Sequence, residues 1–243
     1  MKRSISTILV LLFCYSAFCQ NEEFASDRPG LSDAPDLIQK KTFQLETGFD
    51  ISRYNRYGLY QLSTNTLRYA INKRFEARMD FGIQYDPEQK IYGASAPALG
   101  VKTLLWNQKK AIPKTALVLE WFPPPFGTPQ GPTGIGAELC LNHDLKNDDN
   151  IYYNAGLLWQ DINQSPIING LIGYNHEFTK VWQAFLEFYY YDTRSKPFNM
   201  VTDIGVTAQV NNRLQVDFAF GLDLKKPKGN LYFDGGISYN FLR

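Results

Sequence analysis

The 243-residue chain has a formal net charge of +1, and it combines 15 Tyr, 17 Phe and 4 Trp residues with a mean hydropathy of -0.31. The balanced charge gives no reason to expect a nucleic-acid partner. Beyond the N-terminal leader, no run reaches the roughly 18 apolar residues that a transmembrane helix needs, which excludes helical spans but not a transmembrane β-barrel. Many aromatic residues at average polarity favour strands with one apolar and one polar face.

The N-terminal leader covers residues 1–20 and has a basic start, an apolar run from Ile8 to Phe13 and small residues before a polar exit. This layout is typical of a secretory signal peptide, and the apolar run is too short to cross a bilayer. Cleavage is expected near Cys19 to Asn21. The mature chain would then keep Cys140 as its one cysteine, which rules out an intrachain disulfide.

Residues 21–40 form a second element that is rich in charge and proline and contains the sequence DRPG, from Asp27 to Gly30. It offers little apolar surface to fold around, so neither a helix nor a strand is predicted there. An unfolded leader is the simplest interpretation of this segment.

Residues 41–243 are predicted to form strands, because apolar and polar residues alternate along them with a period of two. In the first strand, Gln44 and Glu46 point to one face and Phe43 to the other. The pattern recurs at about 42–51, 60–71, 74–85, 97–106, 114–122, 133–142, 150–160, 167–178, 181–191, 200–210, 213–224 and 230–241. No helical period of comparable length competes, so we predict a single all-β domain of about twelve strands.

The connections between these strands differ in length at the two ends of the sheet. Tight turns at Asn72–Lys73, Thr179–Lys180 and Asn211–Asn212 follow even-numbered strands. Longer connections follow odd-numbered strands, at 52–58, 86–96, 122–132, 192–199 and 225–229, although 107–114 and 142–150 follow even ones. An even number of antiparallel strands with short turns at one end is the layout of bacterial outer-membrane barrels. The tight turns and both termini would then lie on the periplasmic side.

The polar face of the strands holds many carboxylates, paired with glycine or alanine rather than with large aliphatic residues. Burying them without water would cost several kcal/mol each, so we predict that this face lines a wet or internally paired lumen. The residues expected to face the lumen are Glu46, Asp80, Lys102, Glu120, Glu138, Glu187, Asp203, Asp217 and Asp234, with Glu76, Asp223, Arg68 and Arg78. The apolar face carries Trp and Tyr near strand ends, as expected for the interfacial girdle of a lipid-facing barrel.

A soluble β-sandwich or lipocalin-like barrel is the competing fold, with the apolar face inside. A closed soluble barrel would need fewer strands, and its core would not readily hold so many aromatic rings. The sequence therefore favours an antiparallel transmembrane barrel.

Catalytic chemistry is poorly supported by the sequence. Neither His143 nor His176 has the spacing of a metal site, and no metal or cofactor is predicted. An outer-membrane phospholipase would need a histidine two residues from a serine on one strand face. The residues two positions away are Leu141, Leu145, Tyr174 and Phe178. We therefore do not predict an enzyme, and a calcium-dependent lipase is kept as an alternative that an assay would test.

The N-terminal motif resembles a known family. The sequence SDRPG, followed after a short stretch by QLETGFD, is similar to the start of the outer-membrane transporter family described as the "MetA pathway of phenol degradation", which also takes in functional-amyloid secretion porins. The matching positions are Asp27, Arg28, Pro29, Gly30, Gln44, Glu46 and Gly48. The resemblance implies an outer-membrane channel or transporter and says little about its substrate.

These observations predict a passive channel for small solutes in the bacterial outer membrane, with an acidic lumen that favours cations. Outer-membrane lipid, lipopolysaccharide and the barrel-assembly machinery are the expected partners, and homo-oligomers are left open. The alternatives are a non-conducting structural or interaction barrel and a porin that exports amyloid-type polypeptides. Relatives with the export role carry a longer periplasmic extension, which argues against it here.

The 21–40 segment acquires a hypothesis from this barrel. We predict that Pro29 and Gly30 make a fixed turn and that Arg28 reaches a carboxylate in the lumen. Together with Asp27, these residues would form a plug that closes or narrows the periplasmic mouth.

Overall fold

The computed structural model describes residues 24–54, 57–87, 90–94, 97–124, 132–146, 148–192, 199–225 and 231–241, so the predicted signal peptide lies outside the described residues. The described chain forms one antiparallel sheet. Its strands are β1 (Phe43–Tyr54), β2 (Tyr57–Ala70), β3 (Phe75–Asp86), β4 (Ile91–Ala94), β5 (Ala98–Trp106), β6 (Lys114–Phe122), β7 (Gly134–Asp144), β8 (Asp149–Trp159), β9 (Ile167–Glu177), β10 (Trp182–Asp192), β11 (Asn199–Asn211), β12 (Leu214–Asp223) and β13 (Leu231–Asn240).

The sheet closes into a barrel. Each long strand pairs with the next along the chain, β1 pairs with β13, and β2 pairs with β3. Strand β4 has only 4 residues and pairs with β3 alone, beside the β3–β5 pairing. The predicted barrel of about twelve strands is confirmed, because the twelve long strands among the described residues close the ring and β4 extends one hairpin.

Two of the predicted long connections are wrong in detail. The stretch 52–58 was expected to be a loop, but β1 runs to Tyr54 and β2 starts at Tyr57, with those two residues paired. Tyrosine and arginine in this stretch are compatible with a strand, and the ladder continues through them. Similarly, part of the connection 86–96 folds back as β4, where the Tyr92 ring packs at a tilt against the Tyr85 ring.

The two ends of the barrel differ in the length of their connections. The turns at 71–74, 178–181 and 212–213 lie at one end, which we call the turn end. The first and last described parts of the barrel meet at this end, where the Phe241 amide donates to the Phe43 carbonyl at 2.8 Å. Most of the proline-rich stretch 122–132 and of the basic stretch 225–229 lies outside the described residues.

The barrel is apolar outside and polar inside. Large hydrophobic side chains such as Phe49, Ile172 and Ile204 are exposed on the outer face, with Trp106, Trp121 and Trp182 near the strand ends. The largest fully buried side chains instead include Arg68, Lys102, Gln44, Glu76 and Glu187. Such an apolar outer face is stable in contact with lipid and not with water. In the described part of the chain, no helix is long and apolar enough to cross a membrane.

Candidate functional site: a charged plug in the barrel lumen

Residues 24–40, which we call the plug segment, lie inside the barrel and bind its wall on many sides. They contact β1 through Glu46, β5 through Lys102, β8 through Asn154, β10 through Glu187 and β12 through Asp217. The segment has no regular secondary structure, so its backbone polar groups depend on the wall for hydrogen bonds. The charged inner face of the barrel is therefore the binding partner of the plug segment.

Asp27 lies in a pocket of three cations from three strands. Its carboxylate is 2.7 Å from the Lys102 Nζ, 3.3 Å from an Arg68 guanidinium nitrogen and 3.4 Å from one of Arg78. Burial alone would raise the pKa of the Asp27 carboxyl, but the charges of Arg68, Lys102 and Arg78 outweigh burial and lower this pKa. Asp27 is therefore held as a carboxylate, and its backbone amide also donates to Glu46 at 3.1 Å.

Arg28 binds carboxylates on the other side of β1. Its guanidinium donates to Asp217 at 3.1 and 3.3 Å, to Asp234 and to the Thr64 hydroxyl at 3.2 Å. Burial alone would lower the pKa of Arg28, but Asp234 and Asp217 outweigh it and raise that pKa.

Glycines make room for Arg28 on the wall. Gly48 of β1 and Gly236 of β13 are cross-strand partners. A Cβ atom would lie 2.4 Å from an Arg28 nitrogen at Gly48 and 2.6 Å from one at Gly236. Without side chains at these two positions, the guanidinium can lie flat against the sheet.

The turn of the plug segment rests on Glu187 of β10. The Leu31 amide donates to the Glu187 carboxylate at 2.8 Å and the Ser32 hydroxyl at 2.6 Å. Gly30 has a φ of 96°, a conformation that favours glycine, and a Cβ there would lie 2.8 Å from Glu187 Oε2. The Arg28–Pro29 peptide bond before it is cis. The predicted turn at Pro29 and Gly30 thus sits against a specific wall residue.

The second half of the plug segment crosses toward the opposite wall. The Arg78 guanidinium donates to Asp33 at 3.0 Å, and Asn154 donates to the Asp33 carbonyl at 2.8 Å. Asp36 forms an ion pair with Lys114. The Ile38 amide then donates to Glu76 at 2.9 Å, where the chain reaches β1.

The remaining predicted lumen residues also lie on the inner face, where their partners are other residues of the wall. Asp80 accepts from the Thr66 hydroxyl at 2.6 Å, and Glu138 accepts from Asn169 at 2.8 Å. Glu120 is 3.9 Å from Arg78, and Asp203 accepts from Tyr232. Of these residues Asp203 is the most deeply buried, at 2% exposure.

Space is left on both sides of the plug segment. A cavity of about 270 Å³ lies toward the turn end, lined by Phe24, Pro35 and the wall residues Lys114, Asn142 and Gln183. A second cavity of about 320 Å³ lies on the other side, against Leu31, Asp33 and the wall residues Thr66, Asn169 and Tyr189. The plug segment therefore separates two parts of the lumen.

Cys140 is a buried wall residue beneath the plug segment. Its side chain is fully buried, and its sulfur lies within 4.8 Å of a carboxylate oxygen of Asp33 and one of Glu138. The Asp33 carboxylate is already paired with the Arg78 guanidinium. Because Asp33 belongs to the plug segment, movement of that segment would change the exposure of the Cys140 thiol.

The two histidines lie at the turn end of the barrel. His176 Nδ1 is 2.6 Å from Asp149 Oδ1, and His143 Nδ1 is 3.5 Å from the Tyr153 hydroxyl. His176 also makes an edge contact with the Phe178 ring. These contacts place both histidines in surface networks of carboxylate and aromatic groups.

Several residues of the site were missed by sequence reasoning. Asp33, Asp36 and Lys114 tie the plug segment to the wall, and Tyr152 and Tyr232 reach inner carboxyl groups. For Tyr232 a signal was present, since it lies two residues before Asp234 and so shares its face. The partners of Asp33 and Asp36 could not be read from a segment without periodicity.

The fold and the sequence can be compared with known proteins. The COG4313 outer membrane channel from Pseudomonas putida F1 superposes with a TM-score of 0.63 at 8% identity, covering 89% of this chain and 100% of the other. The KdgM porin in complex with disordered oligogalacturonate gives 0.61 at 6% identity, covering 82% and 99%. The NanC porin gives 0.57 at 8% identity, covering 82% and 100%. At these identities the likeness establishes the fold.

The chain has the fold of these porins, and its apolar outer face is of the kind that faces lipid in outer-membrane β-barrels. No curated protein matches the sequence. A family model described as "Putative MetA-pathway of phenol degradation" matches residues 26–241, which include the DRPG motif and every strand. The chain therefore belongs to this family.

Proposed function

We propose that this barrel is an outer-membrane channel for the passive passage of small solutes, and that the plug segment narrows its lumen. The observation that supports the proposal most directly is the pair of cavities, about 270 and 320 Å³, on either side of the plug segment. If side chains of the wall filled the lumen, no such space would remain beside the plug segment. The outer face would contact outer-membrane lipid.

The plug segment is held mainly by ion pairs and hydrogen bonds, which is how a removable obstruction would be held. Arg28 is bound by Asp217 and Asp234, and Asp27 by cations across the lumen. Such contacts are strong while water is excluded and weaken when water enters. Apolar packing contributes less, since the buried apolar residues of the segment are Pro29, Pro35 and Ile38.

The charge of the lumen favours cationic or neutral solutes. Asp80 and Glu138 have no cation within 4 Å among the described residues. KdgM, a structural neighbour, was solved with oligogalacturonate, an acidic sugar chain. Carboxylates without counter-charges would repel such an anion, so we propose a different solute class for this chain.

The test is single-channel recording in planar bilayers, with the wild-type protein compared with a variant lacking residues 24–40. We expect the deletion variant to give a larger and steadier conductance. If neither protein conducts, the barrel has a structural or interaction role instead. If both conduct equally, the plug segment does not narrow the lumen.

A further inference from the structure

A row of six inner-face residues forms a site that the plug contacts use only in part. Cross-strand pairing aligns Tyr152, Gly173, Glu187, Asp203, Gly221 and Tyr232 on the consecutive strands β8 to β13. The two carboxyl groups are direct neighbours at the centre of the row. A glycine and then a tyrosine follow on each side.

The glycines let both tyrosines reach the central carboxyl groups. A Cβ at Gly173 would lie 2.3 Å from the Tyr152 ring, and one at Gly221 would lie 2.0 Å from the Tyr232 ring. Each ring therefore lies across its glycine. The Tyr152 hydroxyl donates to Glu187 at 3.0 Å, and the Tyr232 hydroxyl donates to Asp203.

The carboxyl pair is buried without a cation. Glu187 is 0% exposed and Asp203 2%, and no Lys or Arg within the described ranges lies within 4 Å of either carboxyl group. Glu187 already accepts hydrogen bonds from Leu31, Ser32 and Tyr152. By contrast, Asp203 Oδ1 is buried with no hydrogen-bond donor.

Two neighbouring carboxylates in such a place cannot both be charged at low cost, and one proton shared between them removes the repulsion. Glu187 accepts three hydrogen bonds, and these stabilise its charged form. Asp203 has one buried oxygen without a donor, so its protonated form is the less costly one. The hydroxyl of protonated Asp203 can donate to Glu187.

We propose that Glu187 and Asp203 form a proton-binding latch that holds the turn of the plug segment in place. The proposal rests on the proposed role of that segment in narrowing the lumen. With the proton bound, Glu187 carries a single charge and accepts from Leu31 and Ser32. Once the proton leaves, the two charges repel each other, water is drawn in, and the turn loses its support.

The direction of the pH effect follows from proton counting. The seated state holds the shared proton, whereas in the displaced state water solvates both carboxyl groups and they ionise. The seated state therefore binds more protons, so it is favoured at low pH and weakened as pH rises. One proton changes the equilibrium by at most about tenfold per pH unit.

The other charged groups near the row do not replace this proton. Arg28 of the plug segment is bound to Asp217 and Asp234, and Lys114 of β6 is bound to Asp36. On β12, Asp223 lies two positions beyond Gly221 on the same face and adds negative charge. From β9 only Gly173 faces the pair in this row.

Cys140 provides a reporter that does not depend on conduction. Full-length mature protein in detergent is exposed to a membrane-impermeant cationic methanethiosulfonate from about pH 6 to about pH 9, a range that keeps most of the protein's carboxylates ionised. Because the reagent attacks the thiolate, whose fraction itself rises with pH, each rate is divided by that of the variant lacking residues 24–40 at the same pH. We expect this relative rate to rise with pH in the wild type, by up to about tenfold per unit over the titration. Single-channel conductance should rise over the same range.

Asp203→Asn and Glu187→Gln each remove the shared proton, and the amide can still hydrogen-bond to its neighbour. In both variants the relative labelling rate and the conductance should lose their pH dependence. Asp144→Asn, an exposed carboxylate at the turn end, should keep it. Heat-modifiable migration on gels checks that each variant is a folded barrel.

The outcomes separate the two proposals. A wild type whose relative labelling rate and current do not change with pH, beside a deletion variant lacking 24–40 that is labelled and conducts, overturns the latch alone. Equal current in the wild type and the deletion variant overturns the proposed narrowing of the lumen by the plug segment, and absence of current in both overturns the proposed channel. An unchanged pH dependence of the relative labelling rate in Asp203→Asn also overturns the latch.

Discussion

Asp27 and Arg28 are consecutive residues, yet they bind wall groups of opposite charge on separate strands. Asp27 Oδ2 lies 2.7 Å from Lys102 Nζ on β5, and Arg28 Nη2 lies 3.1 Å from Asp217 Oδ1 on β12. In the ring, β1, β2, β3 and β13 lie between these two strands. A dipeptide therefore connects the two sides of nearly half the barrel, and both wall clusters depend on it for charge balance.

The first prediction concerns Asp27→Asn. The amide would leave Arg68, Arg78 and Lys102 without their shared counter-charge. Removing one partner of a buried ion pair costs on the order of 3–5 kcal/mol. We expect a lower thermal unfolding temperature in detergent and faster labelling of Cys140.

Asp36→Asn is the matched control, because the Asp36 side chain is 34% exposed and has Lys114 as its ion-pair partner. It should change the unfolding temperature much less. Equal effects of the two variants would show that the three-cation pocket is not the main anchor.

The second prediction concerns Arg28→Ala. The change frees the slot above Gly48 and Gly236 and leaves Asp217 and Asp234 to bind water and cations. Mean single-channel conductance should rise roughly twofold or more if the guanidinium narrows the lumen. Arg28→Lys should give an intermediate value, because an ammonium cannot bind two carboxylates as a planar fork does.

Arg213→Ala removes a charge from an exposed turn and serves as the control. It should conduct like the wild type. An unchanged current in Arg28→Ala would make the segment a tether and not an obstruction.

The third prediction is that mild acid does not release the plug segment. The pKa of Asp27 is lowered in the folded protein, so its stabilising charge is fully present above the ordinary value of 3.8 and is lost only as pH falls through the lowered one. The labelling rate of Cys140, divided by that of the variant lacking residues 24–40 at the same pH to remove the change in thiolate fraction, should therefore stay low from about pH 7 down to about pH 5. A relative rate that rises as pH falls over this range would show that Asp27 does not stay ionised in its pocket.

Much of the barrel could be predicted because alternation with period two is a property of the sequence alone. Even β9, Ile167–Glu177, forms where the sequence IINGLIGYNHEF alternates poorly, since its neighbours on both sides impose the ladder. The extension of β1 to Tyr54 and the short β4 were missed, because strand ends are set by cross-strand pairing that no local pattern records.

The sequence predicts which wall residues face the lumen, but not which of them the plug segment binds. Asp217 and Asp234 were assigned to the lumen by their position in a strand, and Arg28 was expected to meet a carboxylate. Which carboxylate it meets depends on the closure of β1 against β13, which brings Gly48 beside Gly236. The pocket of Asp27 likewise requires cations from three strands to converge, and this is a tertiary property.

The last prediction concerns ion selectivity. Glu120, Glu138, Phe122 and Tyr189 line a cavity of about 130 Å³. The plug segment lies between this cavity and the turn end of the barrel. Arg78 is 3.9 Å from Glu120 but is bound more closely to Asp33, so this cavity keeps an excess of negative charge. In a salt gradient, the reversal potential should show a preference for cations.

The preference should be strongest at low ionic strength, because at about 0.1 M salt the screening length is about 10 Å. Replacing both residues, Glu120→Gln with Glu138→Gln, should reduce it, whereas Asp161→Asn in an exposed turn outside the lumen should not. The measurement is made in the wild type and again in Arg28→Ala, where a larger current is expected. An anion preference in both would mean that the carboxylates of the inner face do not control the permeating ion.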